Sequence, residues 1–343
     1  MRPGRLLAAV SLLGSSSAVC ALVGGARRTL TMRATPCDIT SVRNPEILAA
    51  KKLCKSKKAR DNEGLVFVEG VRLVRDVLEA GVAPQSVFFC PDRLVTPEAE
   101  ALVSDVLDAE GTSARSVTPQ VLESMVDTVT PQGIVALFPK PAAAPRPAAA
   151  PTGEVVLLVD NVSDPGNMGT LLRSAHALGA AALVIYGRGC VDPWAPKVVR
   201  SSMGGAFRIP LAFAPTWEDA AAYLTEGRGW APGAGAARVY AADASHRSAV
   251  AHWDVDWRAD GNAVVCVGSE AHGISDELKL RMPKRGEAGA ESDAELGALA
   301  AAATIAEPLI LPVKVPMVAG AESLNAGVAG SILLSEVARQ RSQ

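Results

Sequence analysis

The sequence predicts an α/β protein of two successive units, and three observations carry that expectation. Apolar runs of strand length alternate with stretches of helical periodicity on both sides of residue 150. A Pro/Ala segment at 141–151, PAAAPRPAAAP, separates the halves; it cannot build a core, and its prolines favour an extended spacer. Aromatic residues make up only 4% of the 343 residues while Ala and Gly abound, which suits close-packed helix–sheet layers better than an aromatic-rich sandwich. At this length each half can bury a core of its own.

Residues 1–36 read as a targeting leader. Arg2, Arg5, Arg27, Arg28 and Arg33, several serines and no acid before Asp38 give the composition of an organelle transit peptide. The apolar stretch at 6–25 raises a secretory or bipartite plastid leader and a membrane anchor as rivals. Its serines and terminal glycines weaken it as a span of about 20 apolar residues, so no stable membrane insertion is expected. A mitochondrial destination follows, with a plastid as the alternative.

The first folded unit is placed at 37–140. After Asn44-Pro45, a helix-like stretch from Glu46 carries Lys51, Lys52, Lys55, Lys57, Lys58 and Arg60 with no acid between them. On its own such a run reads better as a solvated helix face. A strand at 65–68 precedes a helical pattern through Val71, Val74, Val77 and Leu78, and further strands fall at 86–89 and 134–138. The linker is placed at 141–153 and the second unit at 154–343. Residues 155–159 are apolar without alternation, as in a strand buried on both faces of a parallel sheet. A helix at 169–178 follows, then strands at 182–186, 239–242, 263–268 and 309–315. A last helix at 325–341 shows an apolar face of Val328, Ile332, Leu333 and Val337. The Ala/Gly/Glu-rich stretch 286–304 reads as an inserted loop.

The net charge of −2 gives no chain-wide nucleic-acid signal, so any RNA contact must come from a local patch. The six cysteines form no Cys-x-x-Cys and the four histidines lack metal-ligand spacing. Neither zinc nor a disulfide framework is expected, and reduced thiols are the simplest reading.

Chemistry concentrates at three strand ends. The first, DNVSDPGNMGTLLRSA at 160–175, delivers Asp160 and Asn161 to a strand edge, turns at Pro165-Gly166 and starts a helix near Asn167. Ligands in open α/β sheets bind at such edges, and a helix start offers free N–H groups to an anion. Arg173 interrupts an apolar helix face and needs a partner or a ligand; a structural salt bridge, with Asn167 as a helix cap, is the plainer alternative. The second, VGSEAHGI at 267–274, sets Glu270 between Gly268 and Gly273, which let backbone approach a flat ligand, though taken alone the motif reads better as a plain turn. The third places Met317 after a strand and Ser323-Leu324-Asn325 at a helix start, where Ser and Asn also serve as ordinary caps.

In this order and with these residues, the three segments resemble motifs 1, 2 and 3 of the SpoU (TrmH) branch of the SPOUT RNA methyltransferases. The stretch GCVDPWAPKVVRSSMG at 189–204 resembles the mitochondrial rRNA methyltransferase 3 type within that family. Asn44-Pro45, the basic run and Phe67-Val68-Glu69-Gly70 are similar to the family's small L30e-like RNA-binding domain. The resemblance spans about residues 41–341.

It implies a SPOUT domain whose parallel sheet closes a trefoil knot, a rare exception to unknotted chain topology. It implies S-adenosylmethionine held bent between the second and third loops, against Gly268, Glu270, Val315, Met317, Ser323, Leu324 and Asn325. It implies a catalytic set of Asn167, Arg173, Glu270 and Asn325, in which Arg173 activates the hydroxyl and Asn167 orients it. Because arginine stays protonated, Arg173 suits the role of a donor that fixes a phosphate and polarises the hydroxyl, with a phosphate-assisted base as the alternative. Lys51, Lys52, Lys55, Lys57, Lys58 and Arg60 become a phosphate-contacting face, and the active form becomes a homodimer, with no metal. The implied reaction is ribose 2′-O-methylation of a guanosine in organellar large-subunit rRNA. A tRNA substrate, or a non-catalytic role in ribosome assembly, is the alternative. Two features depart from the family pattern: Gly327, where a larger residue is usual and where glycine costs a helix up to about 1 kcal/mol against alanine, and the 286–304 insertion.

Overall fold

The computed structural model describes residues 37–107, 109, 111–144, 153–225, 238–258, 262–282 and 308–343, all within one compact unit. The leader, linker residues 145–152 and the predicted insertion at 286–304 lie outside the described residues.

The basic stretch forms two helices where the periodicity suggests one. Helix α1 (Pro45–Lys55) starts with Pro45 at its first position and with the Asn44 side chain accepting from Glu46 N (2.8 Å). Ser56 is extended (φ −122°, ψ 116°), and its hydroxyl caps α2 (Lys57–Glu63) by accepting from Ala59 N at 3.3 Å. The remaining elements are β1 (Leu65–Glu69), α3 (Val71–Glu79), β2 (Ser86–Phe89), α4 (Pro97–Leu107), β3 (Ser113–Ser116), α5 (Pro119–Met125) and β4 (Ile134–Pro139). They make a four-stranded sheet in the order β1-β4-β2-β3, with β4 antiparallel to both neighbours and β2 parallel to β3. Ile47, Leu53, Phe67, Phe88, Leu122 and Met125 form its core.

The second sheet collects β5 (Val155–Asp160), β6 (Ala182–Tyr186), β7 (Leu211–Ala214), β8 (Arg238–Ala242), β9 (Val250–Ala251), β10 (Ala263–Gly268) and β11 (Leu309–Lys314). Its order is β7-β6-β5-β10-β8-β11-β9, and every pair is parallel. From β5 the chain steps outward through β6 to β7; β10, β8 and β11 lie on the other side. The order therefore reverses between β5 and β10, and the crevice beyond their carboxyl ends is where such a sheet receives ligands. Both strands are buried along nearly their whole length, which explains their unbroken apolar runs.

Helices α6 (Pro165–Ala177), α7 (Pro196–Ser202), α8 (Gly205–Arg208), α9 (Trp217–Thr225), α10 (Asp276–Lys279) and α11 (Ala326–Arg341) complete the described unit. Helix α6 begins four residues before the predicted 169, because Asp164, not Asn167, is its cap: the Asp164 carboxylate accepts from Asn167 N at 2.8 Å, and Pro165 occupies the first turn. Helix α11 packs against α6 and β10. A Cβ added at Gly330 would lie 2.4 Å from Leu171 Cδ2, and one at Gly327 3.0 Å from Thr170 Cβ. The departure at Gly327 thus falls at a close approach: a larger side chain there requires Thr170 to give by a few tenths of an ångström. The Ser174 and Ser331 hydroxyls meet at 2.7 Å across the same contact.

Candidate active site

The first strand end is locked to the second loop by a buried carboxylate. Asp160, fully buried at the end of β5, accepts from Ser275 N (2.6 Å) and from Asn161 Nδ2 (2.8 Å). Burial raises its pKa, and these hydrogen bonds oppose the rise. Asn161 itself is left-handed (φ 52°), and its amide oxygen accepts from Gly189 N at 2.9 Å.

The second loop closes on itself. Ser269 N donates to Gly273 O (3.0 Å), Gly273 N donates back to Ser269 O (2.8 Å), and His272 N donates to the Ser269 hydroxyl (3.2 Å). A Cβ on Gly268 would lie 2.1 Å from the Gly273 carbonyl oxygen. This glycine thus has a structural reason beside the expected one: its missing side chain makes room for the loop's own backbone.

The third loop leaves β11, runs through Met317 and ends at Asn325, which caps α11 by accepting from Val328 N at 3.1 Å. Between the second and third loops lies a cleft of about 280 Å³. Gly268, Glu270, Val315, Met317, Ser323 and Leu324 line it, so the structure gathers six of the seven predicted cofactor positions around one space. Asn325 is not among the lining residues; its amide oxygen is engaged by the helix start.

Sequence reasoning missed a further wall. Asp243 and Ser245, just beyond β8, line the same cleft. Asp243 N donates to Val313 O (2.9 Å), and its carboxylate accepts from Ser245 N (3.0 Å) and Ser245 Oγ (2.6 Å). The available signal was Ala-Asp-Ala-Ser directly after a strand, small and polar residues at a sheet edge. Glu322, Lys279 and Lys314 add both signs of charge to the rim. On the far side of the second loop a further cavity of about 440 Å³ is lined by Asn161, Ser163, Glu270 and His272, so Glu270 borders both spaces.

The first motif's side chains stand apart from the cleft. Asn167 is 7% exposed, whereas Arg173 is exposed, and neither lines the cleft. Six residues on an α-helix turn through about 600°, which sets the two side chains roughly 120° apart. Among the described residues no hydrogen bond joins them, and no carboxylate pairs with Arg173. The structural salt bridge considered for Arg173 is absent among those residues, and so is the orienting contact from Asn167.

The basic run divides. Lys52, Lys55, Lys57 and Lys58 are exposed and Lys51 is half-buried. Arg60 is only 4% exposed and is corrected from an RNA contact to a structural one. Its Nη2 and Nε donate to Asp192 Oδ2 (2.6 and 3.0 Å), and its Nη1 donates to the carbonyls of Leu53 (2.6 Å) and Cys54 (3.2 Å). The break at Ser56 redirects α2 so that this last cation turns inward.

Burial pushes the Cys54 thiol up to about 12 and the Cys190 thiol to about 11, so neither supplies a thiolate at neutral pH. Among the described residues no His, Cys, Asp or Glu cluster could hold a metal ion, and no helix is long and apolar enough to cross a membrane.

A sequence profile of the SpoU rRNA Methylase family matches residues 154–287, and one described as an MRM3-like substrate binding domain matches residues 44–136. The third loop lies beyond both spans. The chain is similar to "rRNA methyltransferase 3, mitochondrial" of Mus musculus, with 32% identity over 326 residues, covering 84% of this chain and 70% of the relative. It is 30% identical over 337 residues to the Homo sapiens protein of the same name, with the same shares covered. Among solved structures it resembles the AdoMet-bound rRNA methyltransferase of Sinorhizobium meliloti, with a TM-score of 0.67, 26% identity, and 88% and 97% of the two chains covered.

Proposed function

We propose, from the premise that this chain belongs to the SpoU rRNA methylase family, that it methylates a ribose 2′-hydroxyl in organellar large-subunit rRNA, using S-adenosylmethionine. The observation that carries this reading is the cleft beyond the carboxyl ends of β10, β8 and β11, where residues of the second and third loops converge.

The lining fits the cofactor. Val315, Met317 and Leu324 offer an apolar wall suited to an adenine, while Glu270, Asp243 and Glu322 suit an ammonium and a sulfonium. Lys279 and Lys314 suit a carboxylate. Bound there, S-adenosylmethionine supplies an electrophilic methyl group. The chain's own work is to align the acceptor oxygen and to manage its proton. Alignment is worth up to ~7–11 kcal/mol, and proton handling ~10²–10⁴-fold in rate. Arg173, permanently charged, acts as a donor to a phosphate and the hydroxyl.

In this reading the site is completed between two copies. Each cleft holds the cofactor, and the exposed Arg173, unpartnered among the described residues, serves the cleft of the second copy; the knotted threading belongs to the same proposal. A guanosine is the target by family resemblance. The arginine-rich leader and the mitochondrial relatives support a mitochondrial site of action.

The test is transfer of labelled methyl to large-subunit rRNA, small-subunit rRNA and tRNA by protein lacking residues 1–35. Recovery of 2′-O-methylguanosine from the large-subunit RNA, lost in Arg173→Ala, is the expected result. Label on tRNA alone would replace the substrate, and no label on any RNA despite bound cofactor would favour an assembly role.

A further inference from the structure

The lysine face and the reaction centre sit on different sheets, and a buried ion pair joins them. Arg60 ends the basic run, and all three of its guanidinium nitrogens are engaged, two by Asp192 and one by the last turn of α1. A guanidinium held at all its nitrogens defines an orientation as well as a distance. Asp192 is fixed in turn, since its other oxygen accepts from Trp194 N at 3.1 Å. The loop that carries it is fastened to the first motif: Val191 N donates to Val162 O (3.0 Å), and Gly189 N donates to Asn161 Oδ1 (2.9 Å). A parallel strut runs from Arg200 on α7 to Glu69 at the end of β1, at 3.3 Å.

We infer that Arg60 and Asp192 are positioning residues which set the span between RNA phosphates held on the lysine face and the first-motif loop. Phosphate contacts fix register on a nucleic acid without reading its bases. A protein that grips phosphates on one sheet and reacts at the edge of another therefore selects its nucleotide by distance. Loosening the strut lets neighbouring riboses reach the methyl donor. This inference rests on the methyltransferase reading above.

The experiment maps every 2′-O-methyl group placed on the RNA that the wild-type protein modifies. It compares wild type with Asp192→Asn, with Arg60→Lys, and with the exchanged pair Arg60→Asp plus Asp192→Arg. Each variant is first shown to be folded and to bind S-adenosylmethionine. In the two single variants kcat should fall about 10- to 100-fold, as expected of a small misplacement, and methyl groups should appear on nucleotides flanking the wild-type target. The exchanged pair should move them back only in part, because a carboxylate at position 60 cannot donate to the Leu53 and Cys54 carbonyls. If Asp192→Asn does not fold, Arg60→Lys decides, because it keeps the charge and loses only the fork. Should every methyl group stay on the one nucleotide in a folded, cofactor-binding variant, whatever its rate, the inference is overturned. A wild-type protein that binds the cofactor but marks no RNA overturns the function reading itself.

Discussion

The second and third loops differ from the first motif in how much of their work one chain completes. The two loops close around a cleft whose walls are finished: Ser269 and Gly273 bond each other, Asp243 holds its own turn, and Asn325 starts a helix. The first motif is finished only on its inner side. Asn167 is buried behind the Asp164 cap, while Arg173 faces outward with no carboxylate beside it among the described residues. In the proposed reading, the cofactor half of the site belongs to one chain, and the half that acts on the acceptor is completed by a second copy. A surface charge with no partner among the described residues is where a second molecule is to be sought.

The largest effect should break this division directly. Arg173→Ala is expected to lower kcat by ~10²–10⁴-fold while cofactor affinity, measured by calorimetry, stays unchanged. Mixing this variant with a cleft variant such as Gly268→Val should restore activity, since mixed dimers hold one intact cleft served by one intact arginine. No recovery on mixing would mean that Arg173 serves its own chain's cleft. A smaller effect sharpens the other side. Gly268→Ala forces a methyl group against the Gly273 carbonyl, a strain of about 1–3 kcal/mol. Cofactor affinity should fall roughly 10- to 100-fold, with RNA binding intact; unchanged cofactor affinity would show that the loop can open without cost. The smallest effect tests the lysine face alone. Lys57→Ala with Lys58→Ala should lower the slope of log affinity against log salt by about 1.5–2, with cofactor binding unaffected. An identical slope would remove these lysines from the RNA contact.

Strands β5, β6 and β10 were legible because burial on both faces leaves nothing but apolar residues, but the switch point was not, because it depends on β10 pairing with β5 across all the chain between Asp160 and Ala263. Strand β3 and helices α7 and α8 were not legible, because their short patterns carry no sustained period: Ser113–Ser116 shows no buried face at all. Helices α4 and α9 do carry a helical period, in Ala99, Leu102, Val103 and Val106 and in Trp217, Ala220, Tyr223 and Leu224, and were missed all the same. The cleft was legible through the second and third loops, whose residues are unusual as a set. Asp243 was hidden because a single acid after a short strand resembles any turn. Arg60 misled because a cation counts the same in a run whether it faces water or a carboxylate 132 positions away in the chain, and only the fold brings Asp192 to it. Gly327 misled in the opposite sense: helix propensity marks it as a weakness, and only the approach of Thr170 shows what its smallness permits.

Closure of the second loop by the backbone of Ser269 and Gly273 has a consequence for how this protein can change. The three residues at its tip, Glu270, Ala271 and His272, are relieved of holding the loop's shape, because the bonds that hold it do not pass through their side chains. The frame and its contents are thus separable. Over generations the tip can be rewritten, or in the laboratory randomised, while the two flanking glycines keep presenting whatever stands there to both neighbouring cavities. It is a place where new preferences can be tried at little risk to the fold.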